Sequence, residues 1–189
     1  MKNVLKISLV VLVLCVLSPA WVQEQPSAQQ PPAQQVELKQ ITPFRYAAIV
    51  MKGSYEQHSD AFTRLYQSAA EQNLGYGFTP FGVYYSDPSR VPVEELNWEI
   101  GFELSEGQQV KEPLIEKKWD FSTIAQLVYE GAFSSPDFGK AHEKIMQWVQ
   151  SNGFVPAGPL MEKYVGMPTQ NDQGEWCGKI EIIQPVQKP

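Results

Sequence analysis

The chain has 189 residues, 43% of them hydrophobic and 12% aromatic, a composition that excludes a wholly disordered protein and allows a packed domain. Its formal net charge of −6 comes with no basic stripe, which argues against a nucleic-acid partner, because phosphate recognition rests on clustered Lys and Arg. Two cysteines, Cys15 and Cys177, and two histidines, His58 and His142, leave little from which to build a disulfide framework or a zinc site, so no metal and no cofactor are expected.

The first twenty residues read as a signal peptide. Lys2 and Lys6 give a positive start, Ile7 to Leu17 is an apolar run, and Ser18-Pro19-Ala20 supplies the small residues a signal peptidase reads. That run is short for a spanning helix, which takes about twenty apolar residues. Cleavage after Ala20 and export to the periplasm or the outside are expected, with no stable membrane domain afterwards. Two readings compete: an uncleaved N-terminal anchor, and a lipoprotein tethered through Cys15, against which stands Leu14 where a lipobox carries a small residue. Once Cys15 leaves, Cys177 has no partner within the chain and is expected to be a half-buried strand residue.

Residues 21–36 form a Gln/Pro/Ala-rich tract with almost no large apolar side chain after Val22; it is expected to be a disordered linker, since it cannot bury enough to offset its ordering entropy. A single domain is then expected over 37–187. Within it the elements come twice in the same order. The first repeat, about 40–105, runs from a strand in 47–55 through a helix from Ser59 to Asn73 to strands in 77–88 and 96–104. The second, about 111–186, runs from a strand in 125–133 through a helix from Asp137 to Ser151 to strands in 153–168 and 177–185. Phe62, Leu65, Tyr66 and Ala69 share one helical face, as do Phe138, Ala141, Ile145, Trp148 and Val149. Ser135-Pro136 offers a cap followed by a first-turn proline, and Gly153 stands where a left-handed stop belongs. The fold class is therefore α+β: two tandem strand-helix-strand-strand modules whose sheets join, with both helices on one face. The helix-free face is then available as a concave, aromatic groove.

Glu162 is the anomaly, a carboxylate inside the short apolar strand of "GPLMEKYVGMP" (158–168). An unpaired charge facing inward costs several kcal/mol, so Glu162 points at a ligand or at solvent from an edge strand beside Lys163.

An apolar strand running into "KGSY" (52–55), "PFGVYYSDP" (80–88), "EELNWEI" (94–100) and the second copy's "EKY" (162–164) together resemble the GyrI-like small-molecule-binding superfamily, which includes the effector-binding domains of AraC-type and MerR-type multidrug regulators. The resemblance spans about Gln40 to Pro185. It implies a ligand cleft between the halves, with a glutamate on the second half's middle strand at its floor. Glu162 matches that position, and Tyr164 shares its strand face. Aligning the repeats on Pro88 and Pro168 matches Gly82 with Glu162 and Tyr84 with Tyr164, and Trp98 falls on the third strand, where the family is often aromatic. Trp119 and Trp176 complete the expected ligand-binding set, although core packing is an equally ordinary use of a strand aromatic, as it is for Tyr84 and Tyr85. His142, one step off its helix's apolar face, is expected in solvent.

The expected ligand is a small hydrophobic, planar or cationic molecule held by carboxylate and ring faces. The expected function is binding, as an exported sensor or sequestering protein. The alternative is a cofactor-independent hydrolase of reactive alkylating molecules using Glu162 and Tyr164. Haem binding is disfavoured because His58 and His142 lie near or on helices. The chain carries no helix-turn-helix pattern, and nothing in it points to an oligomeric state.

Overall fold

The computed structural model describes residues 35–75 and 77–189; the expected signal peptide, Cys15 and nearly all of the expected linker lie outside them. Nine strands and two helices follow in order: β1 (Val36–Gln40), β2 (Phe44–Lys52), α1 (His58–Glu71), β3 (Pro80–Tyr84), β4 (Asn97–Glu103), β5 (Ile115–Trp119), β6 (Thr123–Ala132), α2 (Pro136–Ser151), β7 (Val155–Pro156), β8 (Leu160–Gln170) and β9 (Trp176–Gln187). The fold is α+β with a single antiparallel sheet, ordered β1-β6-β9-β8-β3-β4-β2-β5, and β7 pairs with β9 beside it.

Read inward from its two edges, the sheet repeats itself: β1, β6, β9, β8 from one side answer β5, β2, β4, β3 from the other. The halves meet at β3 and β8, where Gly82 stands opposite Glu162. The edge strands are exchanged. β1 stands ahead of β2 yet pairs with β6 of the second repeat, and β5 stands ahead of β6, at the start of the second repeat, yet pairs with β2 of the first. Neither strand was anticipated from the sequence, because VELKQ and IEKKW show almost no buried alternation. They are edges, and charged side chains there deter pairing with other chains.

The exchange bends the sheet. β1 and β2 stand six places apart, about 29 Å if flat at 4.8 Å per strand, yet residues 41–43 alone join them, reaching at most about 14 Å. The same holds for β5 and β6, joined by 120–122. Curling brings the two connections together, and Ile41 donates its N–H to the Ser122 carbonyl at 2.8 Å. Tyr46, Phe81, Trp119, Met161 and Ile183 are buried in the face this curl makes concave.

Both helices cover the other face. Ala61, Leu65 and Ala69 of α1 and Ala141, Ile145 and Val149 of α2 are almost fully buried, at four-residue spacing. Alanines at three of those six positions allow a close approach to the sheet. The Ser135 hydroxyl caps α2 by accepting from Asp137 N–H at 3.2 Å, with Pro136 in the first turn. Beyond its end Gly153 takes φ +68°, a left-handed stop that suits glycine. The strand expected over 153–168 is divided between β7 and β8.

Candidate functional site

Alternation along β8 turns Leu160, Glu162 and Tyr164 toward the helices and Met161 toward the concave face. Glu162 is thus on an interior strand, 8% exposed, and not at a solvent edge. Across from it Gly82 carries no side chain, and the Tyr84 ring lies back over that glycine: a Cβ there would fall 2.5 Å from the Tyr84 hydroxyl oxygen. The absent side chain brings the Tyr84 hydroxyl to 3.0 Å from Glu162 Oε2, with the Tyr164 hydroxyl at 3.1 Å from the same oxygen and 3.0 Å from Tyr84.

Each helix adds a histidine. From α2, His142 sets Nε2 2.8 Å from Glu162 Oε1 and Nδ1 2.9 Å from the Phe138 carbonyl. From the start of α1, His58 sets Nε2 2.8 Å from the Tyr84 hydroxyl, while Nδ1 bonds the Tyr55 carbonyl. A carbonyl accepts only, so both Nδ1 atoms carry protons. His142 then faces a carboxylate with its second nitrogen. Burial pulls its imidazolium down, but the hydrogen bond and the charge of Glu162 outweigh it, and the His142 pKa ends above 6.5. His58 goes the other way: burial dominates, only partly opposed by the Tyr55 carbonyl and Glu162, and its pKa falls below 6.5. Neutral His58 accepts the single Tyr84 proton, and Tyr164 donates to Glu162. Burial first, then the nearby carboxylate, hold Tyr84 and Tyr164 well above 10, so both remain phenols.

Rings wall this polar floor. Phe62 meets Tyr164 edge-on with centroids 5.1 Å apart, Phe138 meets His142 at 4.7 Å, and Trp98 backs His58 at 4.6 Å. A cavity of about 410 Å³ opens between the helices, with Glu162, His58, Phe62, Phe138 and Tyr164 in its lining. Its rim includes Gly166 and Met167, at an irregularity in the β8–β9 pairing between Val165 and Thr169; Gly166 has φ +83° and Met167 is 84% exposed.

Of the residues singled out in the sequence, Glu162, Tyr164 and Tyr84 come together here. Trp98 is behind them, 1% exposed, its indole N–H on the Gly53 carbonyl, so it supports the site without lining the cavity. Trp119 is on the opposite face, stacked on Phe44, its buried indole nitrogen without an acceptor among the described residues. Trp176, 56% exposed at the start of β9, is outside the cavity lining. Tyr85, itself 49% exposed, reaches the buried Glu99 on the concave side, which accepts from Tyr46 at 2.5 Å and Tyr85 at 2.8 Å and pairs with Lys117. Cys177 is half-buried on β9, as expected.

Two expectations need correction. His142 is not solvated but holds Glu162, because the helix lies with the flank of its apolar stripe over β8. And the groove around Glu162 is on the helix-bearing face, between the helices. The concave face does hold a larger cavity, about 770 Å³, that reaches Trp119, Phe81 and the charged Lys39, Glu103, Lys163 and Glu181 but not Glu162; the hydrogen-bonded network of Glu162, His58 and Tyr164 faces the smaller one. His58, His142, Phe62 and Phe138 were missed as site residues. The available signal was that Phe138 and His142 are four residues apart on a helix that must cover the Glu162 strand. Among the described residues no group of three His, Cys, Asp or Glu is placed to hold a metal ion, and no helix is long and apolar enough to cross a membrane.

Comparison with known proteins places this arrangement in a family. The chain is similar to a protein named DNA gyrase inhibitor from Erwinia billingiae (strain Eb661), 34% identical over 114 residues that make up 57% of this chain and 68% of the relative. Its fold is similar to the solved C-terminal domain of EcmrR, with TM-score 0.66 and 19% identity over 83% of this chain and 99% of that one. It is also similar to SAV2435, solved bound to tetraphenylphosphonium, with TM-score 0.50 and 15% identity over 81% and 94% of the two chains. The profile of the GyrI-like small molecule binding domain matches residues 34–187, and the chain belongs to that family.

Proposed function

We propose that the protein binds lipophilic cationic or planar molecules in the cleft above Glu162 and, exported through its N-terminal leader, senses or sequesters them outside the cytoplasm. The observation that carries this reading is the buried carboxylate at the floor of a ring-walled cavity of about 410 Å³. A cation there gains both the carboxylate's charge and contact with ring faces, about 0.5–2 kcal/mol per face. Support comes from SAV2435, a protein of the same fold solved with a lipophilic cation. The inhibitory activity in the Erwinia relative's name is not carried over, because the leader would take this chain away from a cytoplasmic enzyme. Turnover of a reactive alkylator is the weaker reading: both Glu162 oxygens are already engaged, by His142 and by the two tyrosines.

The test is calorimetric titration with tetraphenylphosphonium at neutral pH. Glu162→Gln keeps the shape and removes the charge, and is expected to weaken binding by at least tenfold. Equal affinity in wild type and variant would reject the assignment.

A further inference from the structure

Resting on the cation-binding reading above, we propose that the Glu162 cleft is a proton-for-cation exchange site: His142 is the resident counter-ion, and a permanent cation enters as one proton leaves. The geometry is specific. Nδ1 of His142 is committed to the Phe138 carbonyl, and Nε2 points at Glu162 Oε1 at 2.8 Å. Both ring nitrogens face acceptors, an arrangement satisfied only when both carry protons. In the unliganded cleft the carboxylate is therefore already neutralised, by a side chain of the protein itself.

The groups around this pair are few. β8 presents Glu162 and Tyr164, β3 presents Tyr84, α1 presents His58, and α2 presents the Phe138 carbonyl. Tyr84 and Tyr164 are phenols, and His58 is neutral because its Nδ1 proton goes to Tyr55 while Nε2 accepts from Tyr84. Among the described residues His142 is the only cation paired with Glu162. A lipophilic cation entering the cavity meets the Glu162 carboxylate that lines it, with the His142 imidazolium bonded to its other oxygen, and two positive charges then share one negative one. The Nε2–H bond breaks, its electron pair stays on nitrogen, and the proton passes to solvent. His142 remains as a neutral ring held through Nδ1–H, and the bound cation takes over the carboxylate. Net charge at the floor is unchanged by the exchange, which suits a site roofed by rings.

The consequence is a specificity rule. Where His142 is protonated, protons compete directly with the ligand, so affinity for a permanent cation rises by up to tenfold per pH unit and levels off above the imidazolium's pKa. Without a resident counter-ion there is no proton for the ligand to displace, and no such rise follows.

Titrating the full chain with tetraphenylphosphonium at pH 6 in two buffers of different ionisation enthalpy measures the protons released per ligand. The expected value is about one at pH 6, falling as the pH climbs through the imidazolium's folded pKa, with affinity rising in step. His142→Gln retains a neutral amide against Glu162, and is expected to bind with no proton release and a flat profile between pH 6 and 8. Binding by the wild type with no proton release at pH 6, or a His142→Gln variant that keeps the wild-type pH dependence, would overturn the exchange while leaving the cation cleft standing. No binding at any pH would remove both.

Discussion

A methyl group added at residue 82 probes how the site is built. The Cβ of Gly82→Ala would stand 2.5 Å from the Tyr84 hydroxyl oxygen and 2.8 Å from its ring carbon Cζ, closer than any non-bonded contact tolerates, so the ring has to swing off the strand. Its hydroxyl then loses Glu162 and His58 together. Leaving the buried His58 Nε2 without that donor costs about 1–3 kcal/mol, against about 0.5–1 kcal/mol returned when alanine replaces glycine in a strand. The net expectation is a loss of about 1–2 kcal/mol, with Tm lower by about 2–4 °C per kcal/mol for a domain of this size. Urea and thermal unfolding followed by circular dichroism measure it. Because the whole penalty is routed through one ring, a double-mutant cycle isolates it: in a Tyr84→Ala background the Gly82→Ala change should be neutral or mildly stabilising. If it costs as much there as in the wild type, the glycine is needed for some reason other than making room for Tyr84, and the reasoning fails.

The remaining expectations concern the core and the charges. Ile145→Ala, at a fully buried position on α2, should cost about 2–5 kcal/mol in urea unfolding. Lys117→Met strands the fully buried Glu99 carboxylate and should cost about 3–5 kcal/mol at neutral pH in the same unfolding assay. The two histidines should give opposite pH signatures. His142, raised in the fold, adds stability that is complete below about pH 6.5 and is lost as pH climbs through its folded pKa; His58, lowered in the fold, subtracts stability as pH falls below 6.5. Denaturation midpoints between pH 5 and 8 should therefore slope differently in His142→Gln and His58→Gln, each relative to wild type. Parallel profiles for the two variants would contradict the assigned protonation states.

Much of this molecule could be read before its coordinates, for reasons that differ from element to element. The helices announced themselves because Phe62, Leu65, Tyr66 and Ala69, and Phe138, Ala141, Ile145, Trp148 and Val149, recur at helical spacing, and because Ser135, Pro136 and Gly153 bracket α2. Glu162 stood out because a carboxylate in an apolar strand requires an explanation. β1 and β5 could not be found that way, since strands that face solvent on most of their length carry no apolar alternation. Nor could the face on which the cleft lies: three-residue connections force a curl only once it is known that they join strands six places apart. Aromatics on strands were the least legible. Trp98, Trp119 and Trp176 look alike in the chain, yet one supports the site, one lies in the concave core and one is exposed. His142 was missed because its partner is twenty residues away on another element.

The traded edge strands bear on how such a molecule could arise and be taken apart. Cut between its repeats, the chain would yield two fragments, each holding the border strand that completes the other. Neither piece would be finished alone, but mixed in equal amounts they should reassemble. A single ancestral copy could have closed by the same handover with its twin, as a symmetric dimer with two equal floors. Fusion would then have freed one floor position to become glycine while its counterpart kept the acid.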